Sequence, residues 1–115
     1  MSNCIVVVQF DLPRRSPSDA IAGGTSTAPT YRNLAKAGLI RKDYLNGETG
    51  TGGVYLWDSR AAAQAWFTQE RIAGLAERFG VTPRLTWYDT HVTVDNVHGE
   101  TRVDGVVHAD EEAAE

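Results

Sequence analysis

Lys42 and Tyr44 form the first pair of side chains whose types and spacing suggest chemistry. They lie two residues apart in a predicted strand over 39–45, so both project from the same face. A lysine ammonium in a partly apolar cavity stabilises the enolate or phenolate of a substrate as its charge develops. The alternative is a lysine that extends along apolar surface to reach solvent or a carboxylate. We predict Lys42 and Tyr44 as catalytic residues on the first interpretation.

His91 is the third predicted catalytic residue. It lies in a predicted strand over 85–95, on the same face as Trp87 and Asp89. A carboxylate two residues away could orient the imidazole as a general base. We therefore predict that Trp87 and Asp89 contact a substrate beside His91. The alternative is a histidine on the solvent side of the strand.

Aromatic and polar residues on other strands extend this predicted site. Tyr44, Tyr55 and Trp57 could line a flat pocket for an aromatic ligand, with a hydroxyl or indole N–H to orient it. Gln9 and Asp11 end the first strand and could donate or accept hydrogen bonds at the mouth of that pocket. The alternatives are ordinary core packing for the aromatic residues and solvated strand ends for the polar ones.

Metal and cofactor sites are not predicted. His91, His98 and His108 lack the spacing of a helical ligand pair, and the chain has one cysteine. The glycine-rich stretch over 50–53 lacks a lysine and leads into a strand rather than a helix, unlike a phosphate-binding loop. We expect a protein that uses neither a metal nor a cofactor.

The elements that must position these residues follow from the hydrophobic pattern. Ser16 and Pro17 begin a short helix that Gly23 and Gly24 interrupt, and Tyr31 belongs to the apolar stripe of the next helix. The predicted order is β-α-β-β-α-β, with strands over 4–12, 39–45, 54–57 and 85–95, and helical segments over 28–37 and 59–79, the latter bent near 68–70. This is the ferredoxin-like arrangement of α+β proteins, a four-stranded antiparallel sheet with helices on one face.

Apolar residues on both faces of the predicted sheet indicate a homodimer. Val6, Val8 and Phe10 form one core face, and with regular pairing Ile5, Val7, Tyr55 and Trp57 would lie on the other. Exposed apolar patches of several hundred Å² are uncommon on monomers. Two such sheet faces packed against each other would cover both.

Length and charge exclude several classes of protein. The 115 residues fit one domain, and a net charge of −4 argues against a general nucleic-acid binder or a polybasic membrane-surface protein. Six acidic residues and one arginine fall within 100–115, whereas residues 1–99 are nearly neutral. We predict a domain over 1–96 and an acidic tail or arm over 97–115. The lone Cys4 and the lack of a leader or long apolar run favour the cytoplasm.

The middle of the chain resembles a known family. The similarity lies in the stretches Ala37–Leu45, Glu48–Gly50, Gly52–Trp57, Ser59–Ala63 and Val92–Asn96. These segments resemble the YdhR-type monooxygenase family of dimeric α+β barrel proteins. The resemblance implies two ferredoxin-like sheets that enclose a cavity in each subunit, with the face of Lys42 and Tyr44 directed into it. It also implies cofactor-independent oxygenation of an aromatic or enolisable small molecule. An isomerase or cyclase of the same fold, or a non-enzymatic binder of a hydrophobic small molecule, remains an alternative.

Overall fold

A four-stranded antiparallel sheet covered by helices on one face forms the body of the protein. The structure is a computed structural model that describes residues 2–109. The body contains β1 (Asn3–Phe10), α1 (Pro17–Asn33), β2 (Leu39–Asn46), β3 (Thr51–Trp57), α2 (Arg60–Trp66), α3 (Gln69–Phe79) and β4 (Arg84–Thr90). Its strands are arranged in the order β2-β3-β1-β4. The α+β class and the antiparallel sheet are thus confirmed, and the arrangement is compatible with a ferredoxin-like fold.

The register of β1 against β3 decides which side chains enter the core. Cys4 pairs with Trp57 and Val6 pairs with Tyr55, and directly opposed residues of an antiparallel pair share a face. All four are buried in one cluster, which residues from all three helices contact. The prediction that Tyr55 and Trp57 lie on the face opposite Val6 is therefore wrong. That opposite face carries other apolar residues of the two strands, Ile5, Val7, Val54 and Leu56.

Glycine allows β3 to pair closely with β1. Gly52 has a φ of 151°, and a Cβ atom added there would lie 1.9 Å from the carbonyl oxygen of Val8. Only a residue without a side chain fits this approach. Because of this glycine, β3 begins at Thr51 rather than at the predicted Val54, and the hairpin connection is shorter than the sequence suggested.

Helix α1 runs without interruption through the two glycines expected to break it. The Ser16 side chain accepts a hydrogen bond from the backbone N–H of Asp19, and Pro17 occupies the first turn. A glycine in a helix costs only about 1 kcal/mol relative to alanine, so the cap and the tertiary contacts of the helix outweigh it. The helix also contains Pro29 and has no buried residue. A 3₁₀ turn over Leu34–Ala37 follows, and Gly38 ends it with a φ of 104°, as predicted.

The predicted helical region over 59–79 is two helices. α2 ends at Trp66, and the side chain of Thr68 caps α3 by accepting a hydrogen bond from the N–H of Arg71. Gly80 ends α3 in the left-handed conformation, as its position after the amphipathic stripe indicated.

The predicted strand over 85–95 divides at His91. β4 ends at Thr90, which pairs with Asn3 at the start of β1, so the main sheet offers no neighbour beyond that point. The chain continues as β5 (Val92–Asp95), which pairs with β6 (Glu100–Val103), and β7 (Val106–His108) completes a second antiparallel sheet. We call residues 92–108 the C-terminal arm. Its valines are largely exposed, Val97 at 88%.

The last part of the predicted acidic tail, residues 110–115, lies outside the described residues. Among residues 2–109, no helix has both the length and the apolar character required to cross a membrane.

Candidate functional site

The side chains around Lys42 come from three elements at one edge of the body. Lys42 and Tyr44 alternate along β2 and therefore share the helix-covered face. Tyr55 on β3 is the direct partner of Lys42 in the antiparallel pair. Tyr31 reaches the same place from α1, where it packs against the core cluster. The edge strand and the helix over it thus bring three phenol rings around one lysine.

The three tyrosines form a cage for the Lys42 ammonium. Its Nζ atom lies 3.4 Å from the ring centre of Tyr31, 4.0 Å from that of Tyr44 and 4.6 Å from that of Tyr55. A cation over an aromatic face is attracted by the ring quadrupole at distances up to about 6 Å. We refer to these four residues as the tyrosine cage.

Hydrogen bonds hold the rings of the cage in place. The hydroxyls of Tyr44 and Thr27 lie 2.6 Å apart, which links β2 to α1. The Tyr55 hydroxyl donates to the Tyr31 hydroxyl over 3.5 Å, a long contact. Tyr31 also meets the rings of Tyr44 and Tyr55 in edge-to-face geometry, with ring centres 6.1 Å and 5.7 Å away.

Burial changes the proton affinity of both central groups of the cage. It lowers the pKa of Lys42 from 10.5 to about 7, because the charged amine loses contact with water. The attraction of the ring faces opposes this effect and keeps the ammonium form accessible. Burial also raises the pKa of Tyr55, and the neighbouring Tyr31 adds to that shift. Tyr55 therefore stays a neutral phenol, whereas Lys42 exchanges a proton near neutral pH.

A cavity of about 320 Å³ opens beside the cage between α1 and β2. This volume is at the lower end of the range of about 300–1,000 Å³ typical of small-molecule sites. Lys42, Tyr31 and Tyr44 belong to its wall, together with the guanidinium-bearing residues Arg32 and Arg41. Three cationic side chains and no carboxylate line this cavity. The Arg41 guanidinium is paired with Asp43 at 2.8 Å, so Arg32 and the ammonium form of Lys42 are the groups that favour an anionic ligand here.

Tyr31 separates this cavity from a smaller one. The second cavity, of about 160 Å³, lies between α1 and α3 and is lined by Tyr55, Trp66 and Arg71 among others, with Tyr31 common to both. The Arg71 guanidinium carbon lies 3.4 Å from the ring centre of Trp66. Three of the eight residues that line this smaller space are aromatic, and the others include two threonines and two arginines.

Two other aromatic residues predicted to contact substrate lie in the core. Trp57 is fully buried, and its indole N–H has no hydrogen-bond partner in the described part of the chain. Trp87 lies on β4, at the edge of the sheet opposite the cage, and meets Phe67 edge-to-face with ring centres 6.0 Å apart. Neither lines either cavity. For Trp57, the core-packing alternative describes the structure, and Trp87 is partly buried against the same core.

The polar residues predicted at the mouth of the pocket lie elsewhere. Gln9 alternates with the core residues of β1 and lies on the opposite face of the sheet. Asp11 follows β1 and accepts a hydrogen bond from Arg84 over 2.9 Å at the surface. Neither residue approaches the cavity beside Lys42.

Asp89 and His91 are not brought together. Asp89 on β4 forms an ion pair with Arg60 at 3.2 Å, and His91 Nδ1 lies 2.8 Å from a carboxylate oxygen of Asp104 in the C-terminal arm. The predicted dyad fails because the chain leaves the sheet at His91, so strand alternation no longer relates the two side chains. His91 has a carboxylate partner, but at an exposed surface far along the chain from the cage residues.

Tyr31 and Thr27 are the site residues that sequence reasoning missed. Tyr31 was assigned to an apolar helical stripe, and that stripe does face the sheet. The sequence pattern does not show which strand the stripe meets, so its proximity to Lys42 could not be anticipated. Thr27 lies one helical turn before Tyr31, which was the available signal.

Within residues 2–109, no group of three or more His, Cys, Asp or Glu side chains is placed to hold a metal ion. In comparison with known proteins, no family model matches the chain and no curated protein matches it. The function must therefore be argued from the cage and its cavity.

Proposed function

We propose that the protein is a cofactor-independent monooxygenase that binds an aromatic or enolisable small molecule in the cavity between α1 and β2. The observation that carries this proposal is the position of Lys42. Its amine lies within a cage of three tyrosine rings, its side chain lines a cavity together with Arg32, and no ion pair with a carboxylate satisfies the amine in the described chain. An anionic ligand would supply the missing charge.

Lys42 serves as both base and counter-ion in this proposal. The uncharged amine accepts a proton from an acidic C–H or phenolic O–H of the substrate. The resulting ammonium then faces the enolate or phenolate in a half-buried site, where their attraction is stronger than in bulk water. Tyr44 contributes its ring face and a hydroxyl held by Thr27.

The electron-rich anion supplies the electrons for reaction with oxygen. The substrate carbanion forms a C–O bond to dioxygen, and the peroxide recovers the proton from the Lys42 ammonium. Loss of water across the O–O bond and the remaining C–H leaves a carbonyl group. In total, a CH₂ group and O₂ become C=O and H₂O, so that no external reductant is needed.

A dimeric α+β barrel is part of the same proposal. The sheet face opposite the helices carries Ile5, Val7, Val54 and Leu56, and the C-terminal arm carries exposed valines. A second copy packed on this face would remove the open sheet face and the valines of the C-terminal arm from water. The resemblance to the YdhR-type family supports this assembly, and the free, buried Cys4 supports a location in the reducing cytoplasm.

Oxygen uptake with a panel of polyphenols and cyclic ketones tests the proposed activity. We expect uptake by the wild-type protein and its loss in the double variant Lys42→Met, Tyr44→Phe. Lys36→Met removes the other lysine, which is exposed, and is the matched control that should keep full activity. Unchanged turnover in the double variant would overturn the assignment. Product formation without oxygen would indicate an isomerase or cyclase, and thermal stabilisation without any product would indicate a binder.

A further inference from the structure

The chain contains two lysines in contrasting environments. Lys36 is exposed in the 3₁₀ turn after α1, whereas Lys42 is partly buried within the tyrosine cage. Lys42 also belongs to the wall of the cavity of about 320 Å³, so a small molecule in that cavity lies against its side chain. One lysine side chain is thus both shielded from bulk water and accessible to a ligand.

The groups that face the Lys42 amine are aromatic rings rather than carboxylates. Phenol rings face it from each neighbouring element, Tyr31 from α1, Tyr44 from β2 and Tyr55 from β3. The charged residues lining the same cavity are Arg32 and Arg41, and the Arg41 guanidinium is paired with Asp43 at 2.8 Å. No carboxylate of the described residues forms an ion pair with Lys42. The amine therefore lacks a counter-ion that would stabilise its protonated form.

We propose that Lys42 is a nucleophilic amine that condenses with small aromatic aldehydes entering the cavity between α1 and β2. The nitrogen lone pair forms a bond to the carbonyl carbon, and the carbonyl oxygen gains a proton from the nitrogen. Loss of that oxygen with the second N–H proton as water leaves a C=N bond. The reaction needs only the amine and the aldehyde. It uses no oxygen and therefore does not rest on the proposed monooxygenase activity.

The surroundings of the amine suit an aromatic aldehyde in particular. Tyr31 and Tyr44 both line the cavity, so an aromatic ring bound there would pack against them beside the lysine. Burial, which lowers the pKa of Lys42 to about 7, leaves about half of the amines uncharged at neutral pH. An ordinary solvated lysine is uncharged in fewer than about one molecule in a thousand under those conditions.

Reductive trapping tests this proposal on the intact protein. The protein is incubated at pH 7 without oxygen with benzaldehyde and sodium cyanoborohydride, and the benzylated sites are quantified by peptide mapping, which separates both lysines from the α-amino group. We expect Lys42 to be labelled at least about tenfold faster than Lys36, with a rate that rises with pH and levels off above pH 7. Lys42→Arg should abolish the fast label, and Lys36→Arg should leave it unchanged.

Equal labelling of the two lysines in the wild-type protein would overturn the proposal. This comparison uses the wild-type protein alone, so it does not depend on whether a variant folds. A Lys42 label that keeps rising steeply beyond pH 9 would overturn it as well, because the amine would then behave as an ordinary lysine. Oxygen uptake is measured separately. Slow labelling together with oxygen consumption would reject the nucleophilic lysine and keep the oxygenase. Fast labelling without oxygen consumption would reject the oxygenase and keep the nucleophilic lysine.

Discussion

The ammonium nitrogen of Lys42 lies 3.4 Å from the ring centre of Tyr31, although the two residues belong to different elements of the fold. This contact connects β2 at the edge of the sheet to α1 above it. A shift of α1 would change both the burial of the amine and the aromatic faces around it. The placement of the helix and the electrostatics of the lysine are therefore coupled.

The first prediction concerns the pH dependence of stability. The pKa of Lys42 is lowered to about 7 in the folded protein, against about 10.4 in an unfolded chain, so the unfolded state binds more protons between these values. Stability therefore rises with pH in this window, relative to a Lys42→Met variant. The slope should stay below about 1.4 kcal/mol per pH unit, since the side chain is partly exposed. Urea unfolding of both proteins in buffers at about pH 7.5, 8.5 and 9.5 measures this slope. If the free energies of unfolding of the two proteins changed in parallel with pH, the prediction would be contradicted.

The second prediction concerns the link between β2 and α1. Removing the Thr27–Tyr44 hydrogen bond, which spans 2.6 Å, by Thr27→Val or Tyr44→Phe should destabilise the fold by about 0.5–1.5 kcal/mol. The double variant should be no worse than the more affected single variant, because both lose the same contact. A double-mutant cycle from chemical denaturation measures this coupling. Strictly additive losses would show that the two hydroxyls do not stabilise each other.

The body of the fold could be predicted because its signals are local. The alternating Val6, Val8 and Phe10, the stripe of α3 and the glycine caps at Gly38 and Gly80 each depend on neighbouring residues. Assigning side chains to the faces of the sheet requires the register of β1 against β3. That register depends on hydrogen bonding between segments that are distant in the sequence. An error of one residue reverses a face, and this is how Tyr55 and Trp57 were misplaced.

The candidate site was predictable only in part, for the same physical reason. Lys42 and Tyr44 share a strand, so alternation was enough to place them on one face. Tyr31 belongs to a helix whose position over the sheet is set by tertiary packing. Asp89 and His91 were predicted to share a face on the assumption of one continuous strand. β4 instead ends at Thr90, opposite the start of β1, and pairing with the main sheet is lost beyond it.

The third prediction tests the close approach of β3 to β1. Gly52→Ala would place a methyl group 1.9 Å from the Val8 carbonyl oxygen, so the backbone must move. We expect a loss of more than about 2 kcal/mol or failure to fold. Gly74→Ala in α3 is the matched control, because a Cβ there meets nothing within 4 Å. That variant should be more stable by up to about 1 kcal/mol. Thermal unfolding of both compares them, and equal effects would contradict the explanation.

The fourth prediction concerns the proposed dimer. Val54→Lys introduces a charge on the open face of the sheet, opposite Val7 and beside Asp43. In a monomer this lysine is solvated, but at a buried interface it should weaken association by about tenfold or more. Removal of residues 98–115, which deletes β6 and β7, should shift the equilibrium in the same direction. Sedimentation velocity measures both, with Ala73→Lys on exposed α3 as the control. A wild-type protein that remains monomeric at all concentrations would reject the dimer.

Helix α1 has a consequence for how the cavity exchanges its contents. It contains two adjacent glycines and Pro29, and it buries none of its residues fully. Proline also removes one hydrogen bond from the helical ladder just before Tyr31. Local opening of α1 should therefore require less free energy than opening of the central strands. The amide protons of α1 should exchange with solvent earlier than those of the central strands. The wall that bears Tyr31 would then open more often than the central strands, so that ligands can enter and leave while the sheet and its core stay folded.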